Sequence, residues 1–239
     1  MTNALPATAS QSVRAERAFT VDALAESLGR RISDGEFEVG TWIRQAKLAE
    51  EYGVSRTPVA LALSRLEAVG VVERIANRGF RVRLPTTRDV MEVVEVRALL
   101  EGHAAFLAAE RISAAQLERL RAAVKQFREV VSGLQEGRPE GWARSRWHEA
   151  NALFHATIFE AAGNRQLKTS SDLLHNRLPR NATWSAMRAD IRLLSQNANQ
   201  HEGIALAIDL REGDRARRLA IAHVETARDI MCAHLEELA

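Results

Sequence analysis

The stretch Ala46-Lys47-Leu48-Ala49-Glu50-Glu51-Tyr52-Gly53-Val54-Ser55-Arg56-Thr57-Pro58-Val59 decides how the first third of the chain folds. Helix-forming residues run up to Gly53, the residue that most easily takes the left-handed conformation beyond a helix end. Ser55 then stands where an N-cap belongs. Pro58 falls in the first turn of the next helix, where its missing N–H does no harm. The stretch predicts two helices, over residues 45–52 and from Ser55 to about residue 68, joined by a tight glycine-containing turn. Gly70 stops the second.

Upstream, Val21, Leu24, Leu28 and Ile32 recur at helical spacing and predict a helix over residues 20–33, with Thr20 as N-cap and Asp34-Gly35 as its stop. Residues 36–43 read as short and extended, with a turn at Gly40. Downstream, Val71-Val72-Glu73-Arg74-Ile75 and Phe80-Arg81-Val82-Arg83-Leu84 flank the turn Ala76-Asn77-Arg78-Gly79, predicting a two-stranded ribbon that Pro85 closes. Helix, helix, turn, helix and ribbon, in that order, are a winged helix-turn-helix, expected over residues 19–85.

Charge placement gives that unit a task. Between residues 44 and 83 stand eight basic and four acidic side chains, although the whole chain carries only +2. A local excess of this kind neutralises phosphates and fixes register on a duplex. Arg56 opens the helix whose N-terminal end would enter a major groove. Ser55 and Thr57 beside it are expected to reach phosphates. Arg44, Lys47 and Arg65 extend the basic surface, and Arg78 at the ribbon's tip is placed for a minor groove. The alternative is a solvated basic surface on a protein-binding module.

The quoted stretch, with Leu63-Ser64-Arg65-Leu66-Glu67-Ala68-Val69-Gly70-Val71-Val72 and Arg78-Gly79-Phe80-Arg81-Val82, resembles the GntR family of bacterial transcription regulators. The resemblance implies binding to double-stranded operator DNA. One departure stands out: Ala60-Leu61 follow Pro58-Val59, where the family usually has Arg-Glu and commonly uses that Arg on DNA. The usual operator preference therefore does not carry over.

Beyond Pro85 the strand signal ends. Helical segments are predicted over residues 87–111, 114–132, 142–162, 165–179, 184–211 and 213–237, with Asp214 as an N-cap and a break in the fifth near Asn197–Asn199, since Asn is a poor interior residue. The fold class is thus mainly α: the winged unit, then an antiparallel all-α bundle of six or seven helices over residues 86–239. Three histidines lie on apolar stripes of this bundle. His155 precedes Ile158, Phe159 and Ala162; His201 precedes Ile204, Ala205 and Ile208; His223 lies between Leu219-Ala220 and Ala227. Each imidazole points inward. Asn151 sits one turn before His155 on the same face. Three imidazoles and one oxygen suit Zn, Ni or a similar divalent metal with positions left open, unless each ring is merely hydrogen-bonded in the core. His148 is a candidate supporting or alternate ligand. His103, His175 and His234 read as structural or solvent-facing.

Here too there is a resemblance. Arg97-Ala98-Leu99-Leu100-Glu101, Asn151-Ala152-Leu153-Phe154-His155, Ala161-Ala162-Gly163-Asn164, His201-Glu202, Gly213-Asp214 and His223 match the effector-binding domain of the FadR subfamily. The resemblance implies a buried metal on Asn151, His155, His201 and His223, with Asn151 standing where Asp is commoner, and a small carboxylate bound to that metal. Arg97 either forks onto this effector or pairs with Glu101 one turn later.

The composition sets outer limits. With 46% hydrophobic and 27% charged residues the chain is globular. Cys232, its single cysteine, excludes an internal disulfide framework and fits a reducing, cytoplasmic setting. No apolar run approaches a membrane span, and residues 1–18 read as a flexible arm. The expected protein is a homodimeric transcription regulator, acting as a repressor, and not an enzyme. Two rivals remain: a sensor of metal alone, and a metalloenzyme fused to a DNA-binding module, with Glu149, Glu160 or Glu202 as the nearest bases.

Overall fold

Leu24, Leu28 and Ile32, the predicted stripe of the first helix, are buried in one core with Leu48, Val59, Leu63, Leu66, Val72 and Phe80. The computed structural model describes residues 20–33, 35–37, 39–175, 177–178 and 180–237. The arm read over residues 1–18 and the stop at Asp34 lie outside them. Helix α1 (Val21–Ser33) is capped by Thr20, whose Oγ1 accepts from Ala23 N at 3.2 Å. Helices α2 (Gln45–Tyr52) and α3 (Arg56–Ala68) follow. Gly53 between them has φ +64°, and its N–H closes onto the carbonyls of Ala49 and Glu50, so a side chain here would strain the turn. Ser55 has the extended backbone of an N-cap but makes no side-chain cap bond, which leaves its hydroxyl available.

The ribbon has one strand more than the sequence suggested. Strands β1 (Trp42–Ile43), β2 (Val72–Ile75) and β3 (Gly79–Val82) form an antiparallel sheet in the order β1-β3-β2. Two residues are too few to show alternation. The pairing arises because Gly40, at φ +79°, turns the chain back so that its N–H reaches Val82 O at 2.9 Å.

Among the described residues seven helices make the second unit: α4 (Thr87–Arg111), α5 (Ala114–Gln135), α6 (Glu140–Ala162), α7 (Arg165–His175), α8 (Arg180–Met187), α9 (Ile191–Asp209) and α10 (Gly213–Glu237). Helix α4 packs chiefly on α10, and α5 on α6. The core runs from Ala104 and Phe127 through Phe154 and Ile158 to Ile204 and Ile208. The break expected at Asn197–Asn199 is absent. The chain breaks instead between Met187 and Ile191, where Asp190 caps α9 by accepting from Arg192 N at 2.8 Å. Asn197 is tolerated mid-helix because its side-chain oxygen accepts from Trp147 Nε1 at 3.3 Å. Asp214 lies inside the first turn of α10 rather than at its cap.

The two units meet at a short joint. Thr86 and Asp89 form a capping box at the start of α4, and Arg83 at the end of the wing donates to the same Asp89 carboxylate at 2.8 Å. Helix α4 thus runs unbroken from the wing's edge into the middle of the bundle. There it approaches α10 closely at Gly102: a Cβ at this position would stand 2.6 Å from Ile221 Cγ1. The substitution Gly102→Ala is expected to push α10 away and destabilise the protein by about 1–3 kcal/mol. Denaturant titration of wild type and variant checks this, and an unchanged midpoint contradicts the close packing.

Candidate metal centre and nucleic-acid interface

Histidines from three helices converge as the sequence reading required. His155 on α6, His201 on α9 and His223 on α10 each offer a ring nitrogen, and these nitrogens lie within 4.8 Å of one another. His201 is fully buried at 0% exposure, stacked on Phe127 with ring centroids 4.0 Å apart and edge-on to Phe154 at 4.7 Å. Each ring is turned by an acceptor at its Nδ1. His155 faces Glu101 Oε2 at 3.1 Å, His201 the carbonyl of Asn197 at 2.8 Å, and His223 the amide oxygen of Gln200 at 3.0 Å. Gln200 is itself oriented by donating to Thr226 Oγ1 at 3.0 Å. With Nδ1–H donated, each ring keeps its Nε2 lone pair.

The protonation balance agrees. Burial, reinforced by the neighbouring His155, pushes His223 down to about 3. Burial together with His223 and His155 holds His201 well below the usual histidine range. Both rings are therefore neutral donors near neutral pH. His201 Nε2 is buried and meets no hydrogen-bond partner among the described residues. A buried nitrogen without a partner costs about 1–3 kcal/mol. A divalent ion accepting three imidazoles satisfies all of them, so the residues fit a metal.

Sequence reasoning passed over Glu101 as a site residue. It is 4% exposed, and burial alone would raise its pKa. The Arg97 guanidinium and His155 instead hold it well below the usual carboxylate range. Arg97 donates to Glu101 Oε1 from Nε at 3.0 Å and Nη2 at 2.8 Å. The ion pair anticipated between these residues is therefore present, and Arg97 also lines the adjoining cavity. His175, read as structural or solvent-facing, is tied to the Ser171 carbonyl through Nδ1 at 3.0 Å and also lines that cavity, with Nε2 3.7 Å from Glu101. Burial and Arg97 push it down to about 4. The signal available for Glu101 was its position: an acid on the inward face of α4 has to be paired.

The cavity measures about 660 Å³ and is lined by Arg97, Arg144, Asn151, His155, His175 and His223, among others. His148 lines it as well. Lys168 in its wall is paired with Asp172 at 2.6 Å. No acid pairs with Arg144 among the described residues, so its guanidinium is a positive charge in the wall, which Glu149 and Asp172 also line. His103 is exposed, stacked on Phe106, and His234 lies on the far stretch of α10.

In the winged unit, most of the basic side chains are engaged internally. Arg65 is held against Asp22, Arg74 against Glu67, Arg81 against Glu73 and Arg83 against Asp89. Lys47 lies 3.7 Å from Glu51. Among the described residues no acid faces Arg44, Arg56 or Arg78, which stand at the start of α2, the start of α3 and the tip of the wing. Ser55 and Thr57 are exposed beside Arg56.

Comparisons with known proteins agree on both halves. Residues 20–82 match the family described as "Bacterial regulatory proteins, gntR family", and residues 92–226 match the FCD domain. The chain is 28% identical to the HTH-type transcriptional regulator LutR of Bacillus subtilis, over 86% of this chain and 98% of that one. It is also 28% identical to the probable D-xylose utilization operon transcriptional repressor of Paenarthrobacter nicotinovorans, over 89% of each. Among solved structures, the fold is shared with Escherichia coli McbR/YncC at a TM-score of 0.71 and 20% identity, covering 90% of this chain and 98% of that one.

Two predictions follow from the geometry of the site. Histidines titrating below their unfolded value of 6.5 make the unfolded chain take up protons first. The metal-free protein should keep the stability that these neutral rings contribute above pH 6.5 and lose it progressively as the pH falls towards about 4 for His175 and about 3 for His223. Glu101 adds to the loss only below the ordinary carboxylate range. Denaturation midpoints with chelator at pH 7.5, 6 and 5 test this; a flat profile contradicts neutral buried rings. Second, Glu101→Gln keeps the shape but removes the charge behind His155, and should weaken Zn²⁺ binding about 10- to 100-fold by calorimetry. Equal affinity would show that the carboxylate does not support the metal ligands.

Proposed function

The chain belongs to the GntR family of bacterial regulatory proteins and carries an FCD domain, and from that premise we propose that a buried metal and a small carboxylate control its grip on operator DNA. It is a transcription regulator, and the relatives named above are regulators too, so the metalloenzyme reading is set aside. Residues 19–85 grip the duplex and residues 86–239 sense the effector.

The single observation that carries this reading is the convergence of His155, His201 and His223 beside a cavity that also holds Arg97 and Arg144. Asn151, one turn before His155 and in the same cavity wall, completes the ligand set. Zn or Ni held there supplies positive charge with positions open to carboxylate oxygens. Arg97 uses two N–H groups on Glu101, and the guanidinium has five. The remaining three supply a second anchor for the effector, so pairing and effector binding coexist.

The signal travels through α4. Asp89, which ties the wing to this helix, and Glu101, which ties it to His155, are twelve positions apart, about 18 Å along the axis. An effector acts only if it favours one arrangement of the two units over another. Ligand release of repression is the proposed direction, in keeping with the repressor named among the relatives. Two copies reading a pseudo-palindrome is the proposed assembly. Support comes from one side of α4, where Met91, Val96 and Leu99 are exposed, Leu99 at 67%.

The test uses metal-loaded full-length protein and a panel of small carboxylates including acetate, lactate and citrate. A carboxylate present at about a hundred times its Kd stabilises the native state by ~2.7 kcal/mol, a rise of several degrees in melting temperature. The variant His201→Ala, His223→Ala is expected to bind duplex DNA normally and to lose both this rise and any effect of carboxylate on DNA. A rise that persists in the variant or under chelator overturns the metal-anchored reading. DNA affinity that follows the metal and ignores every carboxylate would identify a metal sensor instead.

A further inference from the structure

We infer that Leu61 reads a thymine methyl in the major groove, so that an apolar contact takes part in selecting the operator. The inference rests on the DNA-binding reading of the winged unit. Helix α3 buries Val59, Ala62, Leu63 and Leu66. At about 100° per residue the opposite side carries Thr57, Leu61, Ser64 and Ala68. Leu61 is 52% exposed in the middle of that side.

The C-terminal half of this face is occupied by contacts within the protein. Ser64 Oγ donates to the Ala60 carbonyl at 3.0 Å and accepts from Arg74 Nη2 at 2.6 Å, and Arg65 is held by Asp22. In its N-terminal half the side chains left to meet a partner are Thr57, Ala60 and Leu61, immediately after Arg56, which no described acid faces. Within the winged unit, the cations that no described acid neutralises stand at the starts of α2 and α3 and at the wing tip, a charge pattern that fits a polyanion and not an apolar protein surface. Phosphates give no sequence information; base edges do. Leucine has no hydrogen-bonding group, and the one apolar group on a major-groove edge is the thymine C5 methyl. Ala60 beside it is small and likewise without donors, so this stretch of the helix selects by shape and methyl contact, leaving polar readout to Arg56 and Thr57.

The experiment starts from duplexes that the full-length protein recovers from a random-sequence pool. Each thymine of the recovered consensus is replaced in turn by deoxyuridine, which removes the methyl and keeps the pairing. Affinity is expected to fall about fourfold for each methyl that Leu61 buries, at one thymine of each half-site. Leu61→Ala, at a half-exposed position and with a good helix former, should melt like wild type. It should bind the thymine duplex about fourfold more weakly per half-site and be indifferent to deoxyuridine at that position. A consensus without thymine opposite the centre of α3, deoxyuridine duplexes bound as well as thymine duplexes, or a Leu61→Ala variant still sensitive to the missing methyl would each overturn the assignment while leaving DNA binding intact. Recovery of no consensus at all would overturn the DNA-binding reading, and this inference with it.

Discussion

A single buried carboxylate organises the second half of this protein. Glu101 cannot be sequestered as an anion without partners, because an unpaired buried charge is far too costly. It meets Arg97 on its own helix and His155 on α6, with His175 of α7 near by. This one constraint fixes α4 relative to α6 and α7 and occupies His155 through its Nδ1, leaving Nε2 outside that contact. At Gly102, the next residue, α4 presses onto α10 because there is no Cβ, which would stand 2.6 Å from Ile221 Cγ1. His223 lies two positions beyond Ile221 on the same helix, where Gln200 of α9 orients its ring.

The orienting groups around the imidazoles come from different levels of structure. His201 is turned by the carbonyl of Asn197 one turn earlier, a contact that any helix can supply. His223 depends on the Gln200 amide from another helix, and His155 on a carboxylate from a third. Asn197 does double duty: its backbone orients His201 and its side chain accepts from Trp147. That second bond is why the helix runs through a residue whose local preference is to end it.

The winged unit shows the same division between composition and contact. Its basic excess was visible by counting, but only the ion pairs reveal which cations are spent on the protein itself. Arg74 and Arg81 hold the wing's strands against their acids, while Arg44, Arg56 and Arg78 stay free of described acids. The electrostatic surface available to a duplex is therefore narrower than the sequence suggested, and it is centred on the start of α3.

Local chemistry alone determined the helix-turn-helix, because Gly53 and Pro58 act on their own backbone and need no distant partner. The same holds for the inward face of each histidine-bearing helix, which follows from the 3.6-residue period. Tertiary structure decided what depends on contacts between segments far apart in the chain. It added β1 to the wing, moved the helix break from Asn197 to Asp190, brought the three imidazoles to one point, and made Glu101 and His175 neighbours of that cluster. Period and propensity describe one segment at a time. Burial of a charge and convergence of lone pairs exist only once several segments share the same space.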